Sequence, residues 1–405
     1  MSSRHVLQHR DFRLLVTGVS VSALGNAITP VALAFAVLDL GGSLTALGLV
    51  EAVFATCQVV TMLAGGVLGD RFSRKLMMEG ASAVSAVVMA VLAASVLLDV
   101  DSIGLIALLG GIGGVVTALS RPSSKAMTRV VVPLDDLADA VALRSLLDSL
   151  CRTLGYAVAG VLVAVVGPGW AVMVDAATFA VAAVAFGRLG VPDARAPRTT
   201  SPLADLGEGF AEVMRHSWLW LLILQALLYH LFYGGAQAVL GPVVVGEGVG
   251  RSAWGFALSA LMAGFVVGGL LALRVRLRRP LAGGAVLLAL TGVFPLAMAL
   301  SDSLWPVMLG AFVHGVGLQM FSVYWDQSIQ THVPEDRLAR VYAFDSVGSF
   351  VARPLGLALT GPVAAAVGVD AWLLVVAAVI SGSSLAAVAS RGVRALEAPV
   401  PTKVA

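Results

Sequence analysis

Along the 405 residues one pattern of apolar and polar positions recurs: a run of roughly 20 mostly apolar residues, then a short polar interruption. The runs occupy 14–38, 44–68, 76–98, 103–125, 142–166, 170–188, 217–241, 252–273, 281–300, 305–326, 341–366 and 371–390. A helix crossing the hydrocarbon core of a bilayer needs about 20 such residues, so each run predicts one spanning helix. The expected fold class is all-α and polytopic, with twelve transmembrane helices. Hydrophobic residues make up 59% of the chain and charged residues 12%, too few polar groups to cover a folded protein of this size in water.

Charge adds an orientation. With the interruptions assigned to alternate sides, the 26 basic residues fall on the side of residue 1 with four exceptions. Arg251 is on the opposite side, and Arg144, Arg152 and Arg353 lie near or within spans 5 and 11. The opposite side carries Asp39, Asp99, Asp101, Glu247, Asp302 and Asp370. Loops rich in Arg and Lys remain cytoplasmic, which predicts a multi-pass protein of a bacterial-type plasma membrane with both termini inside. The net charge of +2 adds nothing to this, and no feature points to nucleic acid as a partner. The first span is too long for the core of a secretory signal. Cys57 and Cys151 both fall inside spans, at no metal-ligand spacing, and read as small buried hydrophobes.

The chain also repeats itself at an offset of 201 residues. Val132-Pro133-Leu134-Asp135-Asp136-Leu137-Ala138 recurs as Val333-Pro334-Glu335-Asp336-Arg337-Leu338-Ala339. Ala142, Ser145, Arg152, Leu154, Gly155, Ala157 and Gly160 then match Ala343, Ser346, Arg353, Leu355, Gly356, Ala358 and Gly361 without a gap. An offset of six spans keeps both copies on one side of the membrane. The repeat is therefore parallel, and predicts two pseudo-symmetric six-helix halves with a site between them at mid-depth. The expected organisation is an N-terminal half over 1–188, a cytoplasmic linker over 189–216, a C-terminal half over 217–390 and a cytoplasmic tail over 391–405. Within the linker, Leu206, Phe210, Val213 and Met214 are spaced for a short amphipathic surface helix.

Between spans 2 and 3 stands Gly65-Gly66-Val67-Leu68-Gly69-Asp70-Arg71-Phe72-Ser73-Arg74-Lys75. This resembles the signature loop of the major facilitator superfamily. Gly66, Asp70, Arg71, Arg74 and Lys75 fill the motif's places, and Ser73 stands where the family usually has Gly. Serine there would resist a positive φ. A worn copy in the second half keeps Gly268, Gly269, Leu271, Arg274 and Arg278, with Leu273 in place of the acid. The run Ser22 to Leu33, the pair Arg121-Pro122 and the stretch Val132 to Gly160 resemble bacterial drug and siderophore exporters within the superfamily. The resemblance implies a monomer and a gating role for the loop. Asp70 would pair with a neighbouring Arg, or meet the positive N-terminus of helix 11, and hold the halves together on the cytoplasmic side. The plainer alternative is a basic turn that only fixes topology.

Ionisable and polar groups inside the spans supply the other candidates. In span 5, Arg144, Asp148 and Arg152 follow one another at i,i+4, and Asp148 can pair with either arginine. Span 11 carries Asp345, Ser349 and Arg353 in the equivalent stripe. Arg152 and Arg353 lie deeper and are the cavity candidates, or else the stripes only register helices. Glu51 in span 2 has no partner on its own helix, and with Asp148 it is a candidate proton-coupling acid; the alternative is a carboxylate reaching the outer interface. Gln58 shares its face. Asp175 in span 6 is a weaker candidate, since that helix is usually peripheral in the superfamily. In span 7, Gln225, Tyr229, Tyr233 and Gln237 form an i,i+4 stripe suited to one wall of a water-filled cavity. Asn26 in span 1, and His314 with Gln319 in span 10, complete that expected cavity, because helices 1, 4, 7 and 10 line it in the superfamily. An intramembrane His such as His314 is otherwise a helix–helix hydrogen bond. Gly155-Tyr156-Ala157-Val158-Ala159-Gly160 partly resembles an antiporter pattern, with Tyr156 and Ala159 as departures. Small residues there also serve close helix packing.

These features predict a secondary exporter of a lipophilic or amphiphilic small molecule working by alternating access. The proton gradient is its expected energy source, because no phosphate-cradling Gly-x-x-x-x-Gly-Lys-Ser/Thr loop is present. No cofactor or metal is expected; the partners are a small-molecule substrate and the bilayer. The alternatives are an uptake symporter for a small metabolite and, further off, a membrane sensor or enzyme. The last lacks a nucleophile–base pair.

Overall fold

The computed structural model describes residues 5–69, 73–191 and 202–396. Among them every regular element is helical. The chain runs through α1 (Arg10–Asp39), α2 (Leu44–Gly69), α3 (Arg74–Leu97), α4 (Ile103–Val131), α5 (Leu137–Val166) and α6 (Pro168–Gly187). The linker helix α7 (Pro202–Arg215) follows, then α8 (Ser217–Gly235), α9 (Arg251–Arg274), α10 (Pro280–Ala289), α11 (Val293–Leu300) and α12 (Leu304–His332). α13 (Leu338–Phe350), α14 (Arg353–Val367), α15 (Val369–Ala389) and the short α16 (Arg391–Ala395) complete it. Twelve stretches of the described residues are long and apolar enough to cross a membrane, as the hydropathy pattern predicts. Their outward faces keep Val87, Val165, Leu273 and Trp305 more than half exposed; such a surface belongs in lipid.

Three spans are less regular than the pattern predicts. The span beginning with α8 continues through π-helical turns at Ala236–Leu240 and Pro242–Glu247. Pro242 lacks the N–H that a regular helix would use, which loosens the ladder there. The ninth span passes through a 3-10 turn at Leu290–Gly292 between α10 and α11. The eleventh breaks between Phe350 and Arg353, just ahead of Pro354, because proline has no N–H to give the Phe350 carbonyl four residues back and its ring crowds that turn.

Contacts divide the described residues into two compact units. Of the described residues, unit 1 comprises those up to 191 with Ala238–Ser259 and Leu357–Pro362; unit 2 holds 202–237, Ala260–Gly356 and 363–396. In unit 1, α1 packs on α5 and α6, α3 on α4 and α6, and α2 on α4. In unit 2, α8 packs on α13 and α15, and α10 and α11 on α12 and α15. Apart from α2 on α4, these are the same pairings shifted by six spans.

The repeat extends past the identities that announce it. Gly167 between α5 and α6 has φ +85°, and Gly368, 201 residues on between α14 and α15, has φ +94°. A reversal in one residue requires this left-handed region, which L side chains rarely adopt. Gly155 and Gly160 are close-packing positions: a Cβ on Gly155 would stand 2.6 Å from the Leu24 carbonyl oxygen, and one on Gly160 2.8 Å from Gly255 Cα. Their counterparts Gly356 and Gly361 would meet the backbone at Leu231 and at Leu44–Thr45. Helix packing thus accounts for these small residues.

Candidate functional site

The signature loop is described in part. Asp70 and Arg71 lie outside the described residues, and Gly66 falls within α2. Ser73 caps α3: its hydroxyl accepts from Leu76 N at 3.2 Å, with φ −67° and ψ 149°. The departure from glycine therefore brings no strain, because the position is extended and Ser is a favoured N-cap. Arg74 opens α3, and Lys75 Nζ donates to the Leu189 carbonyl oxygen at 2.8 Å, tying the loop to the end of α6.

The polar stripe of α5 divides its loyalties. Asp148 pairs with Arg152, with Arg152 Nε donating to Oδ2 at 2.8 Å. Arg144 takes no part in that pair. Its guanidinium donates to Ser124 O, Thr128 Oγ1 and Ser124 Oγ of α4 at 2.6–2.7 Å. In the equivalent stripe, Asp345 accepts from Trp325 Nε1 at 3.2 Å and Ser349 Oγ at 3.3 Å. Arg353 stands beyond the helix break, its Cγ packed near the backbone of Gly234. Asp148 and Arg152 are each 32% exposed on the side chain. They form a part-exposed charged pair within a span of unit 1.

The stripe of α8 is packed inside unit 2 and does not form an open wall. Gln225, Tyr229 and Tyr233 are each 6% exposed or less, and His314 is fully buried. Tyr229 Oη lies 2.8 Å from His314 Nε2, and His314 Nδ1 lies 2.7 Å from the Thr291 carbonyl oxygen, which must accept. Nδ1 thus carries the proton, Nε2 accepts, and the Tyr229 hydroxyl donates. Tyr233 stacks on the His314 ring with centroids 4.4 Å apart. Gln225 Nε2 donates to Ser384 Oγ at 2.9 Å. The sequence brought these residues together as a cavity; the structure brings them together as a hydrogen-bonded, stacked core. Gln237 is half-buried in the π-helical turn, and Gln319 packs against Gly268 and Gly269 of α9.

Around α1, Asn26 spends its amide on the Ser22 carbonyl oxygen at 2.6 Å, a local back-bond. Glu51 and Gln58 are half-buried on α2. The deepest acid is Asp175, fully buried on α6. It accepts from Thr29 Oγ1 of α1 and from Thr178 Oγ1 at 3.1 Å. Among the described residues no basic side chain pairs with it. By sequence Asp175 ranks as a weaker candidate because of its helix; Thr178, three residues on, is the signal that raises it.

Unit 1 also holds an ionic cluster at the Asp39 end of α1. Arg251 Nη2 reaches Asp39 Oδ1 at 2.5 Å and Glu247 Oε1 at 3.3 Å, and its guanidinium lies 4.9 Å from the Phe35 ring centroid. These are charges that the sequence reading placed opposite the termini. In unit 2, Glu212 of α7 is buried and bonded to Arg337, with Arg215 Nη1 at 3.1 Å and His216 Nε2 at 3.4 Å. Burial pushes the Glu212 carboxyl up, but the hydrogen bond and charge of Arg337, aided by His216 and Arg215, outweigh it and hold it below the usual range.

Residues 15–357 match the sequence profile of the Major Facilitator Superfamily. The chain belongs to that superfamily. It is a transporter family, and the twelve apolar helices accord with membership. Among relatives, this superfamily member is 26% identical over 400 residues to the multidrug efflux pump Tap of Mycobacterium tuberculosis, covering 95% of this chain and 94% of that one. It is 24% identical over 381 residues to macrolide efflux protein A of Streptococcus pyogenes, covering 90% and 91%. The fold matches the crystal structure of the nucleoside transporter NupG with a TM-score of 0.77 at 13% identity, over 94% of this chain and 98% of that one. A transporter of the POT family gives 0.74 at 12% identity, over 93% and 95%.

Proposed function

We propose that this superfamily member is a secondary exporter of lipophilic or amphiphilic small molecules, driven by the proton gradient. The observation that carries the proposal is likeness over nearly the whole chain to two efflux proteins, Tap and macrolide efflux protein A. The low share of charged residues, 12%, supports an apolar cargo, since the spans offer few fixed hydrogen-bond partners.

In this reading both termini face the cytoplasm, the protein works as a monomer, and two six-helix halves alternate access to a central site. The signature loop with Asp70 acts as the cytoplasmic gate. On the opposite side the Arg251 cluster is a latch that opens and closes with each cycle. Asp148 beside Arg152 is the favoured proton-coupling acid: it is within a span, paired with a cation that competes for its charge, and reachable. Glu51 is the second candidate, and Asp175 joins them because it lies buried and accepts from the hydroxyls of Thr29 and Thr178.

The test is reconstitution into proteoliposomes with an internal pH dye, against a panel of dyes and macrolides. Proton movement triggered by a compound in native protein, and lost in Asp148→Asn, supports coupled export through that acid. Substrate accumulation in intact cells expressing the protein, in place of depletion, would sink the export direction.

A further inference from the structure

The repeat sets two loops side by side. At the 201-residue offset Asp136 stands where Arg337 stands, and each ends a 3-10 turn, Leu134–Asp136 and Glu335–Arg337. Each turn is fastened to the segment that precedes the first span of its own repeat. In the second repeat the fastening is an ion pair between Arg337 and Glu212. In the first, Asp136 Oδ2 faces His5 Nδ1 at 3.3 Å and His9 Nε2 at 3.0 Å. Among the described residues no Arg or Lys lies within ion-pair distance of Asp136, whose side chain is only 13% exposed. Asp136 is also the N-cap residue of α5 and makes no capping hydrogen bond, although capping is what Asp is favoured for there. Its carboxylate is turned instead toward the two imidazoles.

We propose that His5, His9 and Asp136 form a binding site for a first-row divalent cation of the Zn2+ or Co2+ type. The three ligand atoms all lie within 4.8 Å of one another. The N···O separations of 3.0 and 3.3 Å are those of neighbouring ligands around an ion held by bonds of about 2.0–2.1 Å. Two imidazoles and one carboxylate suit zinc-like ions. Mg2+ and Ca2+ prefer shells of oxygen. His5, 67% exposed on its side chain, leaves the solvent side open for water as a further ligand. The two histidines flank one 3-10 turn, Val6–Gln8, while the carboxylate comes from 127 residues away. The ion therefore staples the leading segment to the turn that opens α5, doing for the first repeat what the Arg337–Glu212 pair does for the second.

The experiment uses the full chain, purified with a C-terminal tag free of histidine and titrated with Co2+, then Zn2+. The expected result is one Co2+ per chain with visible d–d bands, displaced by Zn2+. His9→Ala and Asp136→Asn should each weaken binding at least about tenfold, while His332→Ala leaves it unchanged. His9→Cys guards against misfolding of the alanine variant: a folded cysteine variant should bind Co2+ and gain a thiolate charge-transfer band in the near ultraviolet. No stoichiometric uptake by native protein overturns the site. So does uptake equal to native in folded His9→Ala and Asp136→Asn, or a folded His9→Cys without the new band.

Discussion

Arg144 and Asp345 occupy the same place in the two repeats with opposite charges, and each bonds the same position of the preceding span. Arg144 Nη2 donates to Ser124 Oγ at 2.7 Å, and Asp345 accepts from Trp325 Nε1 at 3.2 Å; Ser124 and Trp325 are themselves 201 residues apart. The contact persists while its chemistry has inverted, which marks it as a brace between spans 4 and 5, and 10 and 11, and not a proton path. Arg144→Met should lower thermal stability by about 1–2 kcal/mol, toward the lower range for hydrogen bonds to a charged group because the arginine is part-exposed. A double-mutant cycle with Thr128→Val, read as melting temperature in detergent, should show the two changes to be coupled. Additive effects would remove the brace.

The Tyr229–His314 bond separates a packed core from a substrate wall. Tyr229→Phe removes one buried hydrogen bond and leaves the His314 acceptor unpaired, at a cost of about 1 kcal/mol. The expected outcome is a lower melting temperature with the same order of substrate preference across a drug panel. A changed preference at unchanged stability would return Tyr229 to the cavity.

Much of this was legible in the sequence, for identifiable reasons. Span number and the parallel repeat survive in hydropathy and in Pro, Asp, Arg and Gly identities, because each reports on backbone demands that no neighbour can override. The choice of partner did not. Asp148 has Arg144 and Arg152 at equal helical spacing, and only the position of Ser124 on another helix decides between them. The break before Arg353 was signalled by Pro354, but a proline in a span also occurs without a break, as Pro30 in α1 shows. In the α8 stripe, periodicity tells which residues share a side and not what that side meets, which here is His314 and Ser384. The ninth span's 3-10 turn carries a mark of the same kind in Pro295, whose missing N–H frees the Thr291 carbonyl four residues back to accept from His314.

The Arg251 cluster makes a prediction about cycling and little about stability. Arg251 and Asp39 are 29% and 40% exposed on their side chains, and an ion pair so wetted is worth about 0–1 kcal/mol. Arg251→Gln should therefore leave the melting temperature within a degree or two while changing transport rate. With a cysteine at the neighbouring exposed Leu40, which leaves the pair intact, labelling by a membrane-impermeant thiol reagent from outside the cell should quicken severalfold when Arg251→Gln is added. Unaltered labelling and transport would show the cluster to be ornamental.

Glu212 gives the chain a defined acid dependence. Its carboxyl is held below the usual range in the folded protein, so the folded state favours the charged form more than the unfolded state does. The stabilisation is complete above the unfolded carboxyl value of about 4.3 and is lost as pH falls through the lower folded value. Native protein should thus melt above Glu212→Gln by a constant margin from pH 8 to pH 5. The margin should shrink below about pH 4.5 as the unfolded state begins to take up protons that the folded state refuses. Arg337→Gln leaves the buried carboxyl without the partner that outweighs burial, so its margin below native protein should begin to shrink at a higher pH than that of Glu212→Gln. A margin that is flat down to pH 3, or an Arg337→Gln margin that shrinks no earlier than that of Glu212→Gln, would show that the clasp is not what ties α7 to the turn before α13.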